Sequence, residues 1–182
     1  MENEAIARQH YAQIRQRLTP ATPVALLCIG EQQTVVVCGN EAQPVVVLSL
    51  NIGFVKTGET FFKHLPPTPD EMELAIMTVE DEVMRIRHSL LADSALFSVD
   101  PDDAGIARIS GVKEEDGSWW LSQDEIERTF KRLERVMFGS PASWEGIPLE
   151  RSFTARLLIL REFIHHHGFE TLTITPYPSS VA

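Results

Sequence analysis

Three short runs near the amino end are apolar at almost every position: Val24–Ile29, Thr34–Cys38 and Pro44–Leu50. They are rich in valine and separated by the polar stretches Glu31-Gln32-Gln33 and Gly39-Asn40-Glu41, a pattern that predicts an antiparallel meander. Strands apolar on both sides need cover on both faces, so helices are expected above and below the sheet. With Glu31-Gln32-Gln33 as the turn, Cys28 falls opposite Val36 and Cys38 opposite Leu26. The sulfurs are then offset, and both cysteines are expected to be reduced core residues. Ahead of the meander, Ile6, His10 or Tyr11, Ile14 and Leu18 recur at helical spacing within Glu4–Leu18. Thr19-Pro20-Ala21-Thr22-Pro23 ends that segment, so residues 1–21 form an N-terminal helical piece.

Beyond residue 65 the period becomes helical. Thr68-Pro69-Asp70-Glu71 combines a threonine N-cap, proline at the first helical position and glutamate three residues after the cap. Met72, Ala75 or Ile76, Val79, Val83, Ile86 and Leu90 follow as one apolar stripe. Ala95–Val99 reads as a fourth strand. Ser122 with Glu125 opens a second capped helix, with Ile126, Phe130, Leu133 and Met137 expected inside. Trp119-Trp120, just before it, is expected to be an aromatic anchor. Pro148 leads into a long helix with Phe153, Leu157, Leu160 and Ile164 inside, stopped by Gly168. Thr171–Thr175 reads as a fifth strand, and a strand that follows a helix implies a parallel addition to the sheet.

The chain has 182 residues, the size of one α/β domain. Its formal net charge is −10, with no cluster of lysine and arginine. Counterion release at phosphates needs clustered positive charge, so nucleic acid and anionic membrane surfaces are both disfavoured as partners. Met1–Gln9 lacks the apolar core of a signal peptide, and no run approaches the ~20 apolar residues of a membrane span. A cytoplasmic protein is expected.

Two strings carry a family resemblance. The first is Ser49-Leu50-Asn51-Ile52-Gly53-Phe54-Val55-Lys56, continuing through Glu59 and Phe62 to Pro66-Pro67-Thr68-Pro69-Asp70-Glu71. The second is Leu149-Glu150-Arg151, leading through Leu157, Leu158 and Ile159 to Gly168-Phe169-Glu170-Thr171-Leu172-Thr173-Ile174. In their order and spacing they resemble the second domain of the exopolyphosphatase and guanosine-pentaphosphate phosphatase (Ppx/GppA) family. The resemblance implies a single actin-like ATPase (ribonuclease-H-like) α/β domain, a mixed five-stranded sheet with helices on both faces. It also implies that the family's first domain, with the glutamate that acts on the attacking water, is missing here.

Phosphoanhydride cleavage needs backbone donors around phosphate, a divalent cation and a group that orients water. The family places these after its first strand in a loop of the form aspartate-isoleucine-glycine-glycine-glycine-serine-threonine-glutamate. The corresponding stretch is Cys28-Ile29-Gly30-Glu31-Gln32-Gln33-Thr34-Val35, in which Gly30 and Thr34 are the vestigial phosphate contacts. Cys28 is a poor ligand for magnesium, which prefers oxygen. Glu31 brings negative charge to the phosphate position, a repulsion of about 4 kcal/mol per charge pair at ~4 Å and an effective dielectric near 20. The family's second glycine turn, after its fourth strand, is replaced by Asp100-Pro101-Asp102-Asp103. Aspartate there suits a helix cap better than an anion site.

Other candidates have plainer readings. Asp100, Asp102 and Asp103 could hold Mg²⁺ or Ca²⁺, but the later glutamate of a calcium loop is missing and capping accounts for them. Consecutive helical residues point ~100° apart, so His165-His166-His167 cannot converge on one ion. They are expected to fringe a helix C-terminus, where positive charge is favourable. The resulting expectation is a non-catalytic relative of exopolyphosphatase that works through protein contacts, as a homodimer or a regulatory subunit, with no cofactor. The alternative is half of a Mg²⁺-dependent phosphoanhydride hydrolase completed by a partner chain, with Gly30 and Thr34 on phosphate and Asp100, Asp102 and Asp103 on the metal. Ligand sensing without turnover is a third reading, with a nucleotide or other phosphate compound as the ligand.

Overall fold

A computed structural model describes residues 1–19 and 21–176; Pro20, part of the expected helix break, lies outside them. The meander forms as its pattern predicts: β1 (Val24–Ile29), β2 (Thr34–Gly39) and β3 (Val46–Leu50) are antiparallel neighbours. β4 (Ala95–Ser98) adds parallel to β1, and β6 (Thr171–Ile174) parallel to β4. A strand not anticipated, β5 (Trp119–Ser122), closes the far edge antiparallel to β6. The sheet therefore has six strands instead of five, in the order β3-β2-β1-β4-β6-β5. Trp119 and Leu121 face the core from β5, while Trp120 points to solvent.

The β1–β2 register differs from expectation by one residue. Cys28 pairs with Val35, and Cys38 with Ala25. The Gly30 N–H donates to the Gln33 carbonyl at 3.0 Å, so the turn is the two residues Glu31-Gln32. Both cysteines are free thiols.

Helices cover both faces, unequally. α1 (Glu2–Arg15) lies on one face, where Ala7, Tyr11 and Ile14 pack on Val24, Leu26, Val37 and Phe97. The other face is covered by α3 (Pro69–Arg85), α5 (Gln123–Met137) and α7 (Arg151–His167). Both expected capping boxes are present, Thr68 with Glu71 and Ser122 with Glu125. α7 packs against α2 (Phe54–Phe61), α3 and α5, and is buried at every residue from Thr154 to Leu160. A helix enclosed on all sides normally reads as apolar throughout, yet α7 carries Arg156 and Glu162 among its buried residues. Among the described residues no helix is long and apolar enough to cross a membrane.

The site end of the sheet is fastened through Gly53. α2 has no side-chain cap. Its first N–H groups bond instead to the β1–β2 turn, Phe54 to the Gly30 carbonyl at 3.0 Å and Val55 to the Glu31 carbonyl at 3.1 Å. So close an approach leaves no room for a side chain at 53, where a Cβ would sit 2.4 Å from the Glu31 carbonyl oxygen. Gly53→Ala is expected to destabilise the fold by about 1–3 kcal/mol, as overpacking does, read as a lower urea midpoint. An unchanged midpoint would show that the turn and α2 are not in contact.

Candidate functional site

The turns after β1 and β4 meet around one side chain that the sequence did not single out. Arg156 rises from the first third of α7 with its side chain only 5% exposed. Its Nη1 reaches Asp100 Oδ2 at 2.9 Å and Asp103 Oδ1 at 3.0 Å, and its Nη2 donates to the Ile29 carbonyl at 3.3 Å. Asp102 is a looser neighbour at 3.6 Å, with its side chain 72% exposed. The guanidinium also sits over the Phe54 ring, 4.5 Å from its centroid, a favourable arrangement for a desolvated cation. One side chain thus ties together β1, α2, α7 and α4 (Pro101–Ile109).

Each aspartate already has a structural task. Asp100 is the N-cap of α4 and accepts from the Asp102 N–H at 2.9 Å, with Pro101 at the first helical position, as the capping reading expects. Asp103 is fully buried and accepts a hydrogen bond from the Ser98 hydroxyl as well as from Arg156. Burial pushes the Asp103 carboxyl up to about 6, with Asp100 adding to the rise and Arg156 and Ser98 opposing it. The Arg156 pKa is raised in turn: burial works against its charge, but Asp103 and Asp100 outweigh that. One guanidinium among three carboxylates is over-compensated, which raises Arg156, while for Asp103 the cost of burial exceeds what the shared cation returns. These carboxylate oxygens are aimed at a cation the protein supplies itself. They do not fit Mg²⁺, which demands its own near-octahedral oxygen shell and keeps several waters.

Gly30 and Thr34, expected as vestigial phosphate contacts, are both engaged within the protein. Thr34 is buried, and its hydroxyl donates to the Ile52 carbonyl at 2.9 Å. Gly30 gives its N–H to Gln33, and a Cβ there would lie 2.7 Å from the Gln33 carbonyl oxygen, so close approach within the turn accounts for the glycine. Cys28 stands where the family pattern has aspartate. Burial, with Asp103 and Asp100 nearby, pushes its thiol up to about 12, which makes it a neutral and unreactive group. The cavity beside the two turns has a volume of about 260 Å³ and runs under α1. Asn3, His10, Gln33 and Asp100 line it together with apolar side chains, and its described lining contains no lysine or arginine. Burial lowers the His10 pKa, partly offset by Asp100.

The three histidines diverge as expected. His165 contacts Gln123 at 3.1 Å, and His166 lies 3.0 Å from Glu162. His167 packs against Phe163 and Phe169. The expected favourable charge fails at His167, because burial first and His166 second lower its pKa to about 4.

No protein-family model and no curated protein matches the chain. Solved structures do. The PPX-GPPA enzyme of Aquifex aeolicus superposes with a TM-score of 0.77 at 20% identity, over 96% of this chain and 60% of the other. The fold is Ppx/GppA-like. An exopolyphosphatase from Cytophaga hutchinsonii gives 0.71 at 14% identity, again over 96% of this chain and 60% of its own. An exopolyphosphatase-like protein gives 0.61 at 17% identity, over 93% and 63%. The chain therefore spans about 60% of the length of the Ppx/GppA structures it matches, in keeping with the second-domain fold expected from its sequence.

Removing Arg156 tests the cluster. Arg156→Met is expected to cost about 3–5 kcal/mol, the range for stranding a buried partner charge, and adding Asp103→Asn should recover part of it. Equilibrium urea unfolding of the three proteins measures this, and a single-variant cost near zero contradicts it. The pH dependence has a definite sign. The Asp103 pKa rises on folding from about 3.9 to about 6, so the folded state holds the proton more tightly. Its stabilising contribution is complete below about pH 4 and is lost as pH rises through about 6. Between those values wild type should lose stability relative to Asp103→Asn, and parallel pH curves for the two would contradict it.

Proposed function

We propose that this Ppx/GppA-like chain does not hydrolyse phosphoanhydrides and acts by associating with another protein or a second copy of itself. The observation that carries this reading is the Arg156 cluster. Where an anion would lie between the two turns, a buried guanidinium is already bonded to Asp100, Asp103 and the Ile29 carbonyl. A phosphate entering there must displace carboxylates that are covalently tethered to the site, and Asp102 adds further negative charge at the rim. The N–H groups that start α2, which could have served an anion, are bonded to the Gly30 and Glu31 carbonyls.

Association is supported by large apolar side chains left in solvent. Leu74 and Met77 lie on the outer side of α3, Phe138 directly after α5, and Trp144 on the short α6 (Ala142–Glu145). Exposed apolar groups of this size are common at contact surfaces. Two free thiols and the acidic composition support a cytoplasmic setting.

Purified protein incubated with Mg²⁺ and either long-chain polyphosphate or guanosine pentaphosphate is expected to release no phosphate above a protein-free control. Light scattering on the same preparation should give a mass above the monomer's 20.5 kDa, or the protein should co-purify with a stoichiometric partner. Turnover that depends on Mg²⁺ would overturn the non-catalytic reading, and a strict monomer without a partner would overturn association.

A further inference from the structure

Farther along α7 from Arg156, a second buried charge is left with an unusual set of neighbours. Glu162 and His166 are one helical turn apart, and Glu162 Oε2 lies 3.0 Å from His166 Nε2. Glu80, on α3, brings Oε1 to 3.7 Å from the same nitrogen. All three ligand atoms fall within 4.8 Å of one another, the only such group among the described residues. A simple histidine–carboxylate hydrogen bond accounts for Glu162 and His166. It leaves Glu80 unexplained, because one ring nitrogen has a single proton to give and faces two carboxylates.

We propose that Glu80, Glu162 and His166 form a divalent-cation site, best suited to Zn²⁺, that clamps α3 to α7. The donor set is two carboxylate oxygens and one imidazole nitrogen, and the imidazole favours zinc over magnesium or calcium. Zinc–ligand distances of about 2.0–2.1 Å place tetrahedral ligands roughly 3.3 Å apart. The observed 3.0 and 3.7 Å already bracket that value, so only the Glu80 carboxylate has to swing inward. It is free to do so, since exposure grades outward from 5% at Glu162 through 20% at His166 to 45% at Glu80.

The surroundings suit a metal ligand set. Arg161 Nη1 holds the far oxygen of Glu162 at 2.8 Å, which leaves Oε2 facing the site, and Arg161 is itself anchored by Glu127 at 2.9 Å. A partner that orients a ligating carboxylate in this way is the usual outer support of a metal centre. The Glu80 side chain is about half exposed, at 45%, so the site opens to solvent on that side and water can serve as the fourth ligand. Two carboxylates balance the charge of the dication. The site stands apart from the β1 and β4 turns and does not depend on the reading of function given above.

The test uses the full chain without an affinity tag, stripped with chelator and titrated calorimetrically with ZnCl₂. One equivalent is expected to bind, and zinc at hundredfold excess over Kd should raise the melting temperature on the order of 5 °C. Glu80→Gln, at a half-exposed position, should weaken binding at least tenfold without altering the unliganded melting temperature, and His166→Ala should weaken binding at least as much. His165→Ala, one residue away, should bind as wild type does. With Co²⁺ in place of zinc, ligand-field absorption bands should appear in wild type and vanish in Glu80→Gln. No binding, or affinity unchanged in Glu80→Gln and His166→Ala, would overturn the site. Equal affinity for Mg²⁺ would also overturn it, by showing that the imidazole is not a ligand.

Discussion

A guanidinium buried in the middle of an enclosed helix must be neutralised within hydrogen-bonding distance, and that requirement organises the functional end of this molecule. α7 is surrounded by α2, α3, α5 and the sheet, so Arg156 cannot reach bulk water. Leaving such a charge unpaired costs several kcal/mol. The chain satisfies it with Asp100 and Asp103 at the start of α4, the Ile29 carbonyl at the end of β1, and the Phe54 ring at the start of α2. Four elements distant in sequence are thereby fixed at one point. The same helix buries Glu162 farther along, which Arg161 and His166 satisfy.

The functional reading follows from where that neutralisation takes place. In a Ppx/GppA-like fold, as the sequence resemblance describes the family, the turns after the first and fourth strands are the places for glycine-rich phosphate cradles. Here they meet through an internal ion cluster with an excess of carboxylate. The proposed loss of hydrolysis is therefore a change of counter-ion, with carboxylates built into the chain standing where a diffusible phosphate would otherwise be. Such a cluster is stiff, because moving either turn exposes a buried charge.

Much of this architecture was legible in the residues. Apolar runs on both faces gave the meander and its two-sided cover, and the capping boxes at Thr68 and Ser122 placed α3 and α5. The acidic residues after β4 were recognised as a cap with no welcome for anions. What was missed depends on partners far away in the chain. Trp119–Ser122 is a four-residue segment running straight into a capped helix, and only its pairing with β6, about fifty residues on, makes it a strand. α2 has no side-chain cap to announce it, since its donors are met by backbone carbonyls of the β1–β2 turn. The β1–β2 register slipped by one because the Gly30 N–H and the Gln33 carbonyl close the hairpin around two residues. Arg156 left one usable trace. It lies three residues after Phe153, on the stripe expected to face inward, where an arginine needs a counter-charge. The carboxylates that supply it lie more than fifty positions earlier.

The most direct measurement is a crystal structure of the protein grown with Mg²⁺ and tripolyphosphate at millimolar concentration. The account predicts Arg156 still bonded to Asp100, Asp103 and the Ile29 carbonyl, with no phosphate density between the turns at 30–34 and 100–103. A phosphate chain seated there, with Arg156 swung from its aspartates to hold it, would contradict the account at its centre.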